Sequence, residues 1–132
     1  MLGEMIGEVR GKVGPAGVLD EQGVADVSGQ ESGKILGMEV TNWVTFKAIP
    51  RPDGTLWGEG QGTLTTKEGD FVKWKSYGLG RESGHGNVTS WRGALYFLNG
   101  SSKLARLLKT PAVYEYECDE NGNTHLKLWE WK

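Results

Sequence analysis

A carboxylate near the C-terminus stands among apolar residues in a pattern that could support acid–base chemistry. In the segment THLKLWEWK, residues 124–132, Leu126, Leu128 and Glu130 share one face if the segment is a strand, because strand side chains alternate with a period of two. Burial in an apolar interior raises the pKa of a carboxyl group, the property that a general acid or base needs near neutral pH. Glu130 is therefore the candidate catalytic residue. A register shift of one residue would instead place it on the rim.

Polar side chains also share faces with large apolar residues elsewhere in the chain and could line a ligand site. We predict that the ligand-binding residues are Asn42, Trp74, Ser76, Trp91, Tyr114 and Tyr116. Rigid aromatic rings with a few polar groups are typical of sites that enclose a small apolar molecule. If the tyrosines faced outwards, Glu115 and Glu117 would become the interior residues instead.

Two further residues could anchor a ligand at the mouth of such a site. Arg81 could hold a carboxylate through paired hydrogen bonds, although most such arginines are surface charges. His85 lies between two glycines in the segment RESGHGN, within a loop of the kind that often carries function. With two histidines and one cysteine in the chain, no spacing indicates a metal site, and we expect none.

The glycines of LWGEGQGTLTT, residues 56–66, do not fit a phosphate-binding loop. The dinucleotide fingerprint needs G-x-G-x-x-G before a helix, and the P-loop ends in Gly-Lys-Ser/Thr. Here Gly58, Gly60 and Gly62 alternate, and β-branched residues follow. Glycines along one face of a strand instead permit strong coiling at a barrel wall or close approach of another group. We therefore expect no nucleotide and no other cofactor.

The elements that must position these residues are short strands joined by hairpin turns. From residue 35 onward, alternating segments are separated by turn sequences, of which Asn121-Gly122 is the strongest hairpin signal. Only SSKLARLLK, residues 101–109, favours a helix, with a serine at its start and Pro111 after it. These features predict an all-β fold, a closed antiparallel barrel of about eight strands that is calycin-like, with one short helix. We expect one domain over 1–132, whose glycine-rich segment 1–33 holds one strand and loops.

Composition limits the partners and the location that we expect. The net charge of −2 provides no electrostatic footprint for nucleic acid, and neither a signal sequence nor a membrane span is indicated. A cytoplasmic protein is the simplest expectation. Of six tryptophans, four fall on strand faces predicted to be exterior: Trp43, Trp57, Trp129 and Trp131. Because four exposed indoles would form a large apolar patch, we expect a homo-oligomer, with a dimer favoured.

Five segments together resemble a known group of barrels. They are GEGQGTLTTKEGD, KSYGLGRESGHG, WRGALYF, SSKLARL and YEYECDENGNTHLKLWEWK, within residues 33–132. The pattern resembles small uncharacterised prokaryotic proteins related in fold to plant allene oxide cyclases and dirigent proteins. The resemblance implies an eight-stranded barrel, often oligomeric, with a cavity for an apolar molecule and no cofactor. No stretch matches the active-site motifs of the cyclases, so the resemblance assigns no catalytic residue.

Three functions follow from this interpretation. The first is binding of a small hydrophobic molecule inside the barrel. The second is a cofactor-independent isomerase or cyclase, in which Glu130 or a tyrosine moves a proton while the cavity fixes the substrate. The third is a structural interaction module whose side chains fill the interior, as eight-stranded barrels allow. The ligand and the reaction do not follow from the residues.

Overall fold

The computed structural model describes residues 2–14, 17, 18, 20–82 and 88–132. Within these residues the chain forms nine strands and one short 3₁₀ helix. The strands are β1 (Leu2–Val13), β2 (Gly17–Val18), β3 (Ala25–Ile35), β4 (Met38–Pro50), β5 (Leu56–Thr66), β6 (Phe71–Glu82), β7 (Thr89–Gly100), β8 (Ala112–Cys118) and β9 (Asn123–Trp131). The helix, Ser102–Lys109, lies between β7 and β8. No helix in the described part is both long enough and apolar enough to span a bilayer.

Eight of the strands close into one antiparallel barrel. From β3 to β9, consecutive strands pair with each other. Strand β1 pairs with β9 on one side and with β3 on the other. Val9 of β1 lies opposite both Leu126 and Gly33, so this strand closes the ring. The two-residue β2 adds only a short pairing to the start of β3. The predicted all-β class and closed eight-stranded barrel are confirmed.

The inward and outward faces follow the period-two alternation of the sequence. Tyr114 and Tyr116 on β8 are buried, whereas Glu115 and Glu117 between them are exposed. The alternative in which these two carboxylates occupy the interior is therefore wrong. On β9 the buried positions include Leu126, Leu128 and Glu130, the face chosen from the sequence.

The N-terminal segment contributes more to the barrel than its sequence indicates. Both β1 and β3 are full-length strands that pair with each other over seven positions, from Gly7↔Ile35 to Val13↔Gly29. The expectation of one strand and loops within 1–33 is wrong in this respect. Its glycines conceal the pattern, since a Cβ on Gly11, Gly29 or Gly33 would strike the backbone of the neighbouring strand. Only glycine lets these two strands approach so closely.

The alternating glycines of β5 and β6 make room for aromatic rings inside the barrel. A Cβ on Gly58 would lie 2.5 Å from the Trp91 ring, and one on Gly62 would lie 2.5 Å from the Trp74 ring. On β6, a Cβ on Gly80 would lie 2.7 Å from Trp91. The bare strand face predicted from the sequence is therefore covered by tryptophan side chains of the neighbouring strands β6 and β7.

The helix packs against one end of the barrel, which we call the helix end. Leu104 and Leu107 enter the core there. Arg106 of the helix donates to the buried Glu130 carboxylate, with Nε 2.9 Å and Nη2 2.6 Å from Oε1, and also pairs with Glu4 of β1 at 3.0 Å. Ser101 makes no side-chain helix cap; its Oγ instead accepts a hydrogen bond from the Phe71 amide.

The four tryptophans predicted to be exterior differ in exposure. Trp43 and Trp131 are about half exposed, at 51% and 49%. Trp57 and Trp129 are partly buried; Trp57 donates a hydrogen bond to Glu59 at 2.9 Å and stacks on Tyr77 with ring centroids 6.3 Å apart. The apolar patch at these positions is therefore smaller than four free indoles. The homodimer stays a prediction.

Candidate functional site

A small cavity lies inside the barrel, in its middle and in the half away from the helix. Its volume is about 40 Å³, room for roughly three water molecules. Five aromatic rings line it: Phe46, Trp74, Trp91, Tyr114 and Tyr116. The Phe46 ring meets Trp91 and Tyr116 edge to face, with centroids 6.0 Å and 5.9 Å apart. Side chains fill most of the interior, and the remaining space is predominantly aromatic.

One wall of the cavity is a polar network built on Glu31. Trp74 Nε1 donates to Asn42 Oδ1 at 2.8 Å, and Asn42 Nδ2 donates to Glu31 Oε1 at 2.9 Å. Thr124 Oγ1 donates to Glu31 Oε2 at 2.6 Å. Glu31 and Thr124 come from β3 and β9, and both lie opposite Gly11 of β1. The absent side chain of Gly11 lets these two groups meet across the strand between them.

The two tyrosines complete the polar wall. Burial raises the pKa of Tyr114 to about 12, partly opposed by a hydrogen bond with Ser76. Burial, with the nearby Glu31 carboxylate as a smaller cause, raises the pKa of Tyr116. The Tyr116 hydroxyl lies close enough to Glu31 and Thr124 to affect their ionisation, yet it makes no hydrogen bond of acceptable geometry. It is therefore a buried polar group with hydrogen-bonding capacity to spare at the cavity wall.

The charge of Glu31 is unfavourable in this setting. The residue is 1% exposed, and desolvation raises the pKa of its carboxyl above the value of 4.5 for an ordinary glutamate. Hydrogen bonds from Thr124 and Asn42 lower the pKa, as does the nearby Tyr116 hydroxyl, and together they offset only part of this shift. Perturbed carboxyls beside a cavity are common at functional sites.

We expect Glu31→Gln to stabilise the folded protein at neutral pH. The folded state holds the Glu31 proton more tightly than the unfolded state, so stability is lost as pH rises from the unfolded pKa through the folded one. The glutamine removes this loss, and the Thr124 hydroxyl can turn to accept from its amide. Urea unfolding between pH 4 and pH 8 should show a gain for the variant that disappears toward pH 4. The matched control, Glu117→Gln on the exposed face of β8, should show no such gain.

The structure brings together all six residues predicted to bind a ligand. Asn42, Trp74, Ser76, Trp91, Tyr114 and Tyr116 all line the one cavity. Arg81 is exposed near the end of β6 and is not part of the lining. His85 lies outside the described residues.

Glu130 is buried, as its sequence position indicates, but it lies at the helix end rather than at the cavity. Its side chain is 7% exposed, and it pairs with Arg106 and, at 3.5 Å, with Lys132. The burial of Glu130 is therefore explained by a structural ion pair. The sequence did not reveal this pair, because strand alternation does not show that the helix places Arg106 beside Glu130. The carboxylate that lines the cavity is Glu31 instead.

Glu31 was missed by the sequence reasoning although a signal for it exists. In ADVSGQESGKI, the residues of β3, Val27 and Ile35 share a period-two face with Gly29, Glu31 and Gly33. This is the same pattern of alternating glycines that marks β5 as a barrel wall, and it places Glu31 inside. In the part of the chain that the structure describes, no three histidine, cysteine or acidic side chains gather to hold a metal ion.

Comparisons with known proteins bear on the fold and not on the site. No protein-family model matches the sequence, and no characterised protein matches it significantly. The barrel is similar to the crystal structure of a protein of unknown function from Clostridium acetobutylicum, with a TM-score of 0.84, 12% identity and 98% of each chain covered. It is also similar to a conserved protein of unknown function from Rhodopseudomonas palustris, with a TM-score of 0.79, 13% identity, and 98% of this chain and 97% of that chain covered. At these identities the likeness shows the fold: a small eight-stranded β-barrel shared across the full length of the chain.

Proposed function

We propose that this barrel binds a small, largely apolar molecule in its interior. The observation that carries the proposal is the cavity itself, which five aromatic rings enclose and which reaches the buried Glu31 carboxyl. Concave, mostly apolar sites with a few polar groups are the usual form of small-molecule sites. A filled structural core would not need a desolvated carboxyl or a tyrosine hydroxyl without a partner.

The size of the cavity restricts the ligand. Typical ligand pockets measure about 300–1,000 Å³, and this one holds about 40 Å³. The enclosed space therefore takes a group of a few heavy atoms, with the rest of a slender molecule extending along Phe46 and Trp91 toward the end opposite the helix. A bulky substrate such as a folded fatty-acid epoxide does not fit without movement of the walls.

Filling the cavity should abolish binding while preserving the fold. Ser76 lines the cavity from β6, and Ser76→Val replaces its hydroxyl by two methyl groups, which take up more of the space, and suits a strand. With 1-hexanol as the probe, the indole N–H signals of Trp74 and Trp91 in NMR spectra should shift on titration for the native protein and stay fixed for the variant. Ser32→Val on the exposed face of β3 is the matched control and should bind as the native protein does. Equal shifts in the native protein and in Ser76→Val would mean that hexanol binds elsewhere, and the proposal for this cavity would then be wrong.

A second candidate is a cofactor-independent isomerase or cyclase in which Glu31 moves a proton. Its supporting observation is that the pKa of the Glu31 carboxyl is raised where it faces an enclosed space, as a base working near neutral pH requires. Glu31→Gln distinguishes the two functions once a substrate is found. An enzyme keeps binding and loses turnover, whereas a binding protein has no turnover to lose.

The relation to allene oxide cyclases and dirigent proteins, the homodimer and the cytoplasmic location belong to the proposal as well. The similar crystal structures belong to proteins of unknown function. The exposed Trp43, Tyr77, Tyr96 and Leu98 on the outer wall support self-association. Light scattering of the purified protein measures the oligomeric state directly.

A further inference from the structure

We propose that the ligand carries a positively charged head, a primary or substituted ammonium, that pairs with Glu31 inside the ring of aromatic side chains. This inference rests on the proposed binding function and specifies the chemical class of the ligand. It excludes a carboxylate-headed ligand such as a fatty acid, and it names a new anchor for the site.

The hydrogen-bond network fixes Glu31 as an acceptor. Because an indole N–H can only donate, Trp74 determines which side of the Asn42 amide carries the oxygen. The Asn42 amino group must then face Glu31 and donate to it. Thr124 donates to the other carboxylate oxygen. Both oxygens thus receive donors, which favours the ionised form of the carboxyl and partly offsets its desolvation.

No protein cation neutralises that carboxylate in the described part of the chain. The lining residues include no lysine, arginine or histidine, and the charged residues among them are Glu31 and Glu59, both acidic. Glu59 is exposed and accepts a hydrogen bond from Trp57 on the outer wall. Glu130 shows the contrast, since Arg106 and Lys132 pair with it directly. Among the residues that the structure describes, Glu31 is therefore the one cavity-lining carboxylate that is buried without a cation beside it. A positively charged ligand head would compensate its charge.

The walls of the cavity suit the same head. Rings of tryptophan, tyrosine and phenylalanine attract cations electrostatically within about 6 Å of their centroids, and five such rings line this small space. The Tyr116 hydroxyl, buried and without a hydrogen bond of good geometry, can accept from an ammonium N–H. An ammonium group has few heavy atoms and fits the enclosed volume. The alkyl or aryl part of the ligand would extend toward the end of the barrel opposite the helix.

Three probes with one hexyl chain and different heads test the inference: hexylammonium, 1-hexanol and hexanoate. Titrations follow the Trp74 indole N–H signal, with the exposed Trp131 indole as the control for surface binding. We expect hexylammonium to bind about tenfold more tightly than hexanol and hexanoate not to bind. If hexanol binds as tightly as hexylammonium, or hexanoate binds more tightly, the charged-head inference is overturned and the binding function stands. If none of the three moves the Trp74 signal, both are overturned.

Substitution of Glu31 provides a second test of the inference. Glu31→Gln should reduce the affinity for hexylammonium to that for hexanol and leave hexanol binding unchanged. An unchanged preference for hexylammonium would overturn the role of Glu31. The pH dependence of binding to the native protein tests the role of Glu31 without a variant. The affinity for hexylammonium should rise between pH 4 and pH 8 as Glu31 ionises, while the affinity for hexanol should stay constant. A flat profile for hexylammonium overturns the inference.

Discussion

Replacing Gly62 by alanine is expected to destabilise the barrel by about 2–3 kcal/mol, the upper part of the range for overpacked interiors. A Cβ at this position would lie 2.5 Å from Cζ2 and 2.7 Å from Cε2 of Trp74, and closer still to the backbone carbonyl of Trp43. The indole cannot retreat without breaking its hydrogen bond to Asn42, and the carbonyl belongs to the paired strand β4. Both obstacles are rigid, so the backbone itself must shift.

Urea unfolding followed by circular dichroism measures this loss. Gly14→Ala is the matched control, because the nearest atom to a Cβ there is the Ser28 carbonyl at 3.8 Å and its backbone conformation accepts a side chain. The control should change stability by less than about 0.5 kcal/mol. Equal stability of the two alanine variants would mean that the glycine face does not accommodate the aromatic rings.

Asn42→Leu is expected to cost about 3 kcal/mol, since each buried polar group left without a partner costs about 1–3 kcal/mol. Leucine has the branching and the number of side-chain heavy atoms of asparagine, so the change leaves no cavity. It removes the acceptor of the Trp74 indole N–H and a donor to Glu31 at once. The Trp74 indole signal should also move in NMR spectra, which separates loss of this hydrogen bond from general loosening of the core.

The control for Asn42→Leu is Asn99→Leu on the exposed face of β7. It should leave the urea midpoint nearly unchanged, because water solvates the exposed Asn99 amide in both the folded and the unfolded state and its removal leaves no buried group without a partner. A double variant with Glu31→Gln sharpens the result. If Asn42 acts through Glu31, the two effects will not add, because groups in one hydrogen-bonded network are coupled.

The sequence by itself determined the architecture and much of the cavity lining. Period-two alternation and hairpin signals such as Asn121-Gly122 are local properties, and the structure confirms them: Gly122 adopts a φ of +82° and the strands close into the predicted barrel. The inward faces of β4, β6, β7 and β8 followed from the same alternation. For this reason all six predicted ligand-binding residues line one cavity.

Only the tertiary structure decided which carboxylate lines the cavity and how large the cavity is. Glu31 and Glu130 both lie on the inward face of a strand, and they differ in the partners that the fold brings to them. Arg106 of the helix pairs with Glu130, whereas Glu31 accepts hydrogen bonds from Asn42 and from Thr124, which is 93 residues away in sequence. The volume of the cavity depends on how the Trp74 and Trp91 rings fill the space left by glycines of β5 and β6. Pairing across a closed barrel and packing of rings against bare strands are long-range properties, and local alternation contains no information about either.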